Sequence, residues 1–87
     1  MELVALLERA ALKRAAYNTL PPSEDFKPIR LTAGLTQQEL AEFLGVTRAA
    51  YQLWESGKRR PRPASALRLA NALNAMRELA EDTASPP

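Results

Sequence analysis

Apolar residues recur along this chain at helical spacing, in five stretches separated by glycine, proline or polar breaks. In the first, residues 2–17, Leu3, Leu6, Leu7, Ala10 and Tyr17 share one face, and Glu2, Arg9 and Lys13 lie together at its polar edge. Arg14 interrupts the apolar face near its end. Asn18 to Glu24 breaks this helix with the stiff Pro21-Pro22 pair, a joint able to hold the first helix away from the body. The second helix is predicted from about residue 24 to Ala33, capped by Ser23 or Asp25, with Phe26, Ile29 and Leu31 available to a core. Pro28 is awkward if the helix starts early and costs nothing in a first turn, so the regular part is expected to start near Asp25. Gly34 ends it, and Leu35 is expected in the core.

The third and fourth stretches carry the sharpest local signals. Thr36 and Glu39 have the Thr-x-x-Glu spacing of a capping box. The helix they open carries Leu40, Ala41, Phe43 and Leu44 on one side, and Gly45 suits a left-handed C′ position. Val46 is expected in the core, and Thr47 is the N-cap of the next helix, which buries Tyr51 and Trp54 and stops at Gly57. Two short helices joined by so tight a turn describe a helix-turn-helix. Residues 58–63, with two prolines, form a loop. A long helix then opens at Ala64 or Ser65 and runs to about Glu81, with Leu69, Leu73, Met76 and Ala80 in one stripe and Leu67 and Ala70 beside it. The expected organisation is an amphipathic arm at 1–19, a helical domain at 23–82 and a frayed tail at 83–87. No internal repeat is visible.

Composition narrows the chemistry. Eighty-seven residues, 46% of them hydrophobic, make one small folded domain, and five aromatic residues leave the packing to aliphatic side chains. The chain has neither cysteine nor histidine, so it lacks disulfides, thiolate sites and the commonest metal ligand and general base. With no glycine-rich phosphate loop either, no nucleophile–base constellation exists, and neither enzyme chemistry nor a cofactor nor a metal is expected. No apolar run reaches the roughly 18 residues that span a bilayer. The N-terminus interleaves charges and does not read as a signal peptide, so a soluble cytoplasmic protein without membrane contact is expected.

The overall charge of +2 hides an asymmetry. From Phe43 to Ala70 the chain holds Arg48, Lys58, Arg59, Arg60, Arg62 and Arg68 against Glu55 alone, a net +5 that leaves −3 elsewhere. A basic middle between acidic or neutral flanks marks a local polyanion-binding face.

The stretch Ile29 to Leu73 resembles the Cro/phage-repressor (XRE-type) helix-turn-helix family. The resemblance rests on IRLTAGLTQQELAEFLGV, with Ala41 where two helices approach and Gly45 at the turn, and on WESGKRRPRP after the second helix. It implies an all-α bundle of about five helices around a central helix-turn-helix, the lambda-repressor-like arrangement. It also implies double-stranded DNA as ligand, with the recognition helix at about 47–56 in the major groove. Arg48, Ala49, Gln52 and Leu53 are then the base-contacting candidates. Arg48 matches guanine O6 and N7, Gln52 matches adenine N6 and N7, and Ala49 and Leu53 offer apolar contact to a thymine methyl. Arg48 at a phosphate is the competing reading.

Thr36, Gln37 and Gln38, at the positive end of the supporting helix, are the phosphate-contacting candidates. The resemblance assigns Gln37 a backbone contact. Thr47, Lys58, Arg59, Arg60 and Arg62 complete the phosphate set. Glu55, in its family-typical place, is expected to form a structural ion pair with a basic residue such as Arg30. The function implied is a sequence-specific transcriptional regulator, a repressor acting as a homodimer on a palindromic operator. The alternative is an antitoxin that binds a toxin through the N-terminal helix and represses its own promoter. An interaction module that has abandoned DNA fits poorly with the retained Arg48 and the basic residues at 58–62.

Overall fold

The computed structural model describes residues 2–84. They form five helices: α1 (Leu3–Thr19), α2 (Ser23–Thr32), α3 (Gln37–Leu44), α4 (Arg48–Glu55) and α5 (Pro63–Ala84). No strand occurs among the described residues, so the fold is the expected all-α bundle.

Local chemistry sets most of the boundaries. Thr36 Oγ1 accepts the Glu39 N–H and the Glu39 carboxylate accepts the Thr36 N–H, each at 3.0 Å, which closes the capping box reciprocally. These same bonds hold the Glu39 carboxyl below its ordinary pKa. Thr47 Oγ1 accepts the Ala50 N–H at 3.1 Å. Gly45 ends α3 at φ 72°, a left-handed conformation in which a side chain is strained. Gly57 closes the turn after α4 in the same way, and the Lys58 N–H reaches back to the Leu53 carbonyl.

The core draws on four helices: Phe26 from α2, Leu40, Ala41 and Leu44 from α3, Tyr51 and Trp54 from α4, and Leu69 and Leu73 from α5. Tyr51 and Trp54 meet edge to face, with centroids 6.3 Å apart. Burying two such rings contributes roughly 4–6 kcal/mol each before entropic costs. That anchoring explains how an eight-residue helix, too short to persist alone, keeps its place.

Several expectations about burial and boundaries are corrected. Leu31 and Phe43 are exposed and Leu35 is only half-buried, whereas Val46, also half-buried, packs against the core as expected. Helix α2 starts at Ser23, and Pro22 precedes it without a side-chain cap, so neither Ser23 nor Asp25 caps it. Pro28 therefore sits in the second turn, on the exposed side of the helix, where its missing N–H is least costly. Helix α5 opens one residue early, with Pro63 in the first-turn position that proline favours, and continues to Ala84. The rest of the expected frayed tail, residues 85–87, lies outside the described residues.

Helix α1 is not held away from the body. It lies against α5, and Asn74 Nδ2 donates to the Thr19 carbonyl at 3.3 Å. Only Ala16 on α1 is buried, with Ala5 and Tyr17 half-buried. Leu3, Val4, Leu6, Leu7 and Leu12 are all more than half exposed. The helix thus rests on the domain through small residues and turns its leucines outward, a reversal that periodicity alone does not reveal.

Candidate nucleic-acid interface

Helix α4 presents Arg48, Ala49 and Gln52 to solvent on the side opposite its buried Tyr51 and Trp54. An exposed side of this kind, on a helix fixed by its other side, is the geometry that major-groove reading requires. Leu53, expected to be exposed, is half-buried. Its carbonyl accepts the N–H groups of Lys58 and Arg59 and the Ser56 hydroxyl, so its backbone organises the following turn.

Thr36, Gln37 and Gln38 share one surface depression with Arg48, and Arg30, Leu31 and Leu35 complete its wall. The start of the supporting helix and the start of α4 thus converge, joining phosphate candidates to a base candidate. Gln38 donates to Glu42 at 2.9 Å within its own helix. Exposed Leu31 enters this wall because the helical register turns it away from Phe26 and Arg30, a tertiary outcome with no separate sequence signal.

A buried ion pair ties α2 to the end of α4. Arg30 Nε and Nη2 donate to the two Glu55 carboxylate oxygens at 3.1 and 2.9 Å, and Nη1 donates to the Leu35 carbonyl at 2.8 Å. Both side chains are 7% exposed. Gln37 Nε2 joins the network by donating to Glu55 Oε1 at 3.3 Å. Burial pushes the Glu55 carboxyl up, but the hydrogen bonds, led by Arg30, outweigh it and hold the group below its ordinary pKa. Hydrogen bonding to Glu55 raises Arg30 correspondingly. The Tyr51 hydroxyl lies buried with no hydrogen-bond partner among the described residues, and burial raises its pKa. Glu55 is accordingly the structural residue the sequence suggested, and it orients Gln37.

The basic loop divides into two kinds of side chain. Lys58, Arg59 and Arg62 are exposed. Arg60, also exposed, sits over the Tyr17 ring at 3.5 Å from its centroid, while the Tyr17 hydroxyl donates to the Pro61 carbonyl at 2.8 Å. Arg59 and Arg60 line a cleft with Tyr17, Pro21 and Trp54, which places them beside the end of α4. Arg68, counted within the basic segment, has a structural task instead. Its guanidinium donates to the Leu44 and Phe43 carbonyls at 3.1 Å each, satisfying the free end of α3. The 24- and 25-residue separations explain why sequence reading missed it.

No group of three or more histidine, cysteine or acidic residues able to hold a metal occurs among the described residues. No helix among them is long and apolar enough to cross a membrane.

Two short helices joined by a tight turn at Gly45, each buried along one side and exposed along the other, define a helix-turn-helix domain. A helix-turn-helix family model matches residues 27–81, and the chain belongs to this XRE-type family. It is 40% identical over 52 residues to YqaE of Bacillus subtilis (strain 168), described as an uncharacterized HTH-type transcriptional regulator, covering 60% of this chain and 45% of that protein. It is likewise 40% identical over 50 residues to YonR of the same strain, described as an SPbeta prophage-derived uncharacterized HTH-type transcriptional regulator, covering 58% and 46%. The matched region thus spans less than half the length of either relative. No solved structure matches the chain significantly.

Proposed function

We propose that this chain is a sequence-specific DNA-binding transcriptional regulator, a repressor that binds a palindromic operator as a dimer. The observation that carries this reading is the surface depression that joins Arg48, on the exposed side of α4 that also carries Ala49 and Gln52, to Thr36, Gln37 and Gln38 at the start of α3. Arg48 and Gln52 read base edges, and Ala49 and the accessible part of Leu53 meet thymine methyls. The N-terminal N–H groups of α3, with Thr36, Gln37 and Gln38, hold one phosphate strand. Thr47 holds the backbone at the start of α4, and Lys58, Arg59, Arg60 and Arg62 hold it beyond the other end. Dimerisation follows from the number of contacts, because one eight-residue helix reads few bases and two half-sites supply the rest.

Both curated relatives carry the name of transcriptional regulators, which supports the same reading. A second reading, as an antitoxin, draws on the outward leucines of α1, which offer a surface for a toxin.

Fluorescence anisotropy with DNA from directly upstream of the gene and with a scrambled duplex, across a salt series, tests the proposal. Tighter binding upstream with a steep salt slope is expected. Equal binding to both duplexes counts against an autoregulator.

A further inference from the structure

We infer that the outward face of α1 is a homodimer surface, on which two copies of α1 pair antiparallel about a twofold axis near Leu7. This deepens the proposed function, since it rests on the dimeric reading and names the surface that produces it.

The starting observation is the inverted placement of α1. Leu3, Val4, Leu6 and Leu7 are 66%, 56%, 51% and 57% exposed, while the buried Ala16 and half-buried Ala5 face the body. Monomeric proteins seldom leave a contiguous leucine strip of this kind in water.

What covers it is indicated by the order of residues along α1. Large apolar side chains, Leu3, Val4, Leu6 and Leu7, fill the first half of the face; the second holds the small Ala10 and Ala11 and ends at Arg14, whose long stem can carry its charge out of the contact into water. In an antiparallel pair each large half lies over the partner's small half, so ridges meet grooves, whereas a parallel pair sets leucine against leucine and alanine against alanine. Charge runs the same way. Glu2 and Lys13 lie on the same flank of the face at opposite ends. Antiparallel pairing with the axis between Leu7 and Glu8 brings Glu2 of each copy beside Lys13 of the other, twice by symmetry. Parallel pairing joins neither.

The area is modest. With flanking alanines and side-chain stems, two copies bury roughly 1,000 Å² in all, the low end for specific association. The dimer is therefore expected to dissociate in the micromolar range without DNA and to be completed on a two-half-site duplex.

Sedimentation equilibrium of the DNA-free full chain, over a micromolar concentration series, tests the inference. The wild type is expected to dimerise reversibly and Leu7→Glu to be monomeric. Leu7 is exposed, so the variant should keep its helical circular dichroism and Tm. Phe43→Glu changes an even more exposed residue, on α3, and should leave the dimer intact. The decisive variants are Glu2→Lys and Lys13→Glu. Within one chain these positions are about 16 Å apart along the helix, too far to pair, so any mutual rescue is intermolecular. Each single variant should raise the dissociation constant several-fold, and the double variant should return it to within about twofold of wild type.

A monomeric wild type overturns the inference and leaves the α1 face to another protein. A dimeric Leu7→Glu, or a dimer broken by Phe43→Glu instead, overturns it in favour of another interface. Absence of rescue in the double variant overturns the antiparallel register. None of these readouts uses DNA, so failure of DNA binding and failure of this interface are seen separately.

Discussion

The Arg60 guanidinium sits 3.5 Å above the centre of the Tyr17 ring, joining the first helix to the loop that follows α4. The tyrosine hydroxyl completes the link through the Pro61 carbonyl, 44 residues away in sequence. Helix α1 therefore holds the basic loop as well as lying on α5. The stacked arginine keeps the edges of its planar group free to donate to a phosphate. Tyr17→Ala should lower stability by about 1–2 kcal/mol and Tyr17→Phe by about half that, since phenylalanine keeps the stack and loses the hydrogen bond. Urea denaturation measures both. Equal losses in the two variants would show that the ring stack contributes nothing.

The loop itself should act without regard to sequence. Replacing Arg59 and Arg60 together with alanine is expected to weaken binding to every duplex and to flatten the salt slope by about two units, roughly one for each phosphate contact removed. Anisotropy across a salt series reads the slope. An unchanged slope places the loop away from DNA.

Arg48 should behave in the opposite way. Arg48→Ala is expected to reduce the preference for the best duplex over a scrambled one by about 1–3 kcal/mol, with non-specific binding largely retained. Equal weakening on both duplexes assigns Arg48 to a phosphate.

The Arg30–Glu55 pair sets the expectations for stability and pH. Glu55→Ala leaves a guanidinium that is 7% exposed without its carboxylate, at a cost of about 3–5 kcal/mol. Replacing both residues with apolar ones should cost less than either single change. The Glu55 carboxyl is depressed in the folded state, so the unfolded chain takes up the proton first. The stabilisation is complete above the unfolded pKa, about 4.3, and disappears as pH falls through the lower folded value. Thermal melts from neutral pH downward should show this loss in the wild type, and a smaller one in Glu55→Gln. Parallel curves for the two proteins would remove Glu55 as its source.

How much of this was legible in the sequence follows from the range of each interaction. The capping box of Thr36 and Glu39, the Thr47 cap and the left-handed Gly45 act within four residues, and the structure has all of them as expected. Tyr51 and Trp54 were identifiable as inward-facing because their spacing leaves Arg48, Ala49 and Gln52 outward. The Arg30–Glu55 pair came through the family resemblance rather than through spacing. Longer-range facts were hidden. Arg68 on the α3 carbonyls and Tyr17 under Arg60 join segments 24 or more residues apart, and no periodicity encodes them. Phe43 and Leu31 show the converse limit. Both continue an apolar pattern, yet a short helix in a small domain has more apolar positions than neighbours to cover them. For α1 the pattern located the leucine face, and the tertiary fold decided that this face points outward.

Selection from a pool of randomised duplexes tests the central claim most directly, that α4 reads base sequence in a twofold complex. Repeated rounds with the wild-type chain should enrich one sequence with two inverted half-sites about one helical turn apart. The same selection with Arg48→Ala should relax the preference at one position in each half-site. A pool that stays random through successive rounds, while still binding in a salt-dependent way, would contradict sequence reading and leave only a non-specific polyanion-binding face.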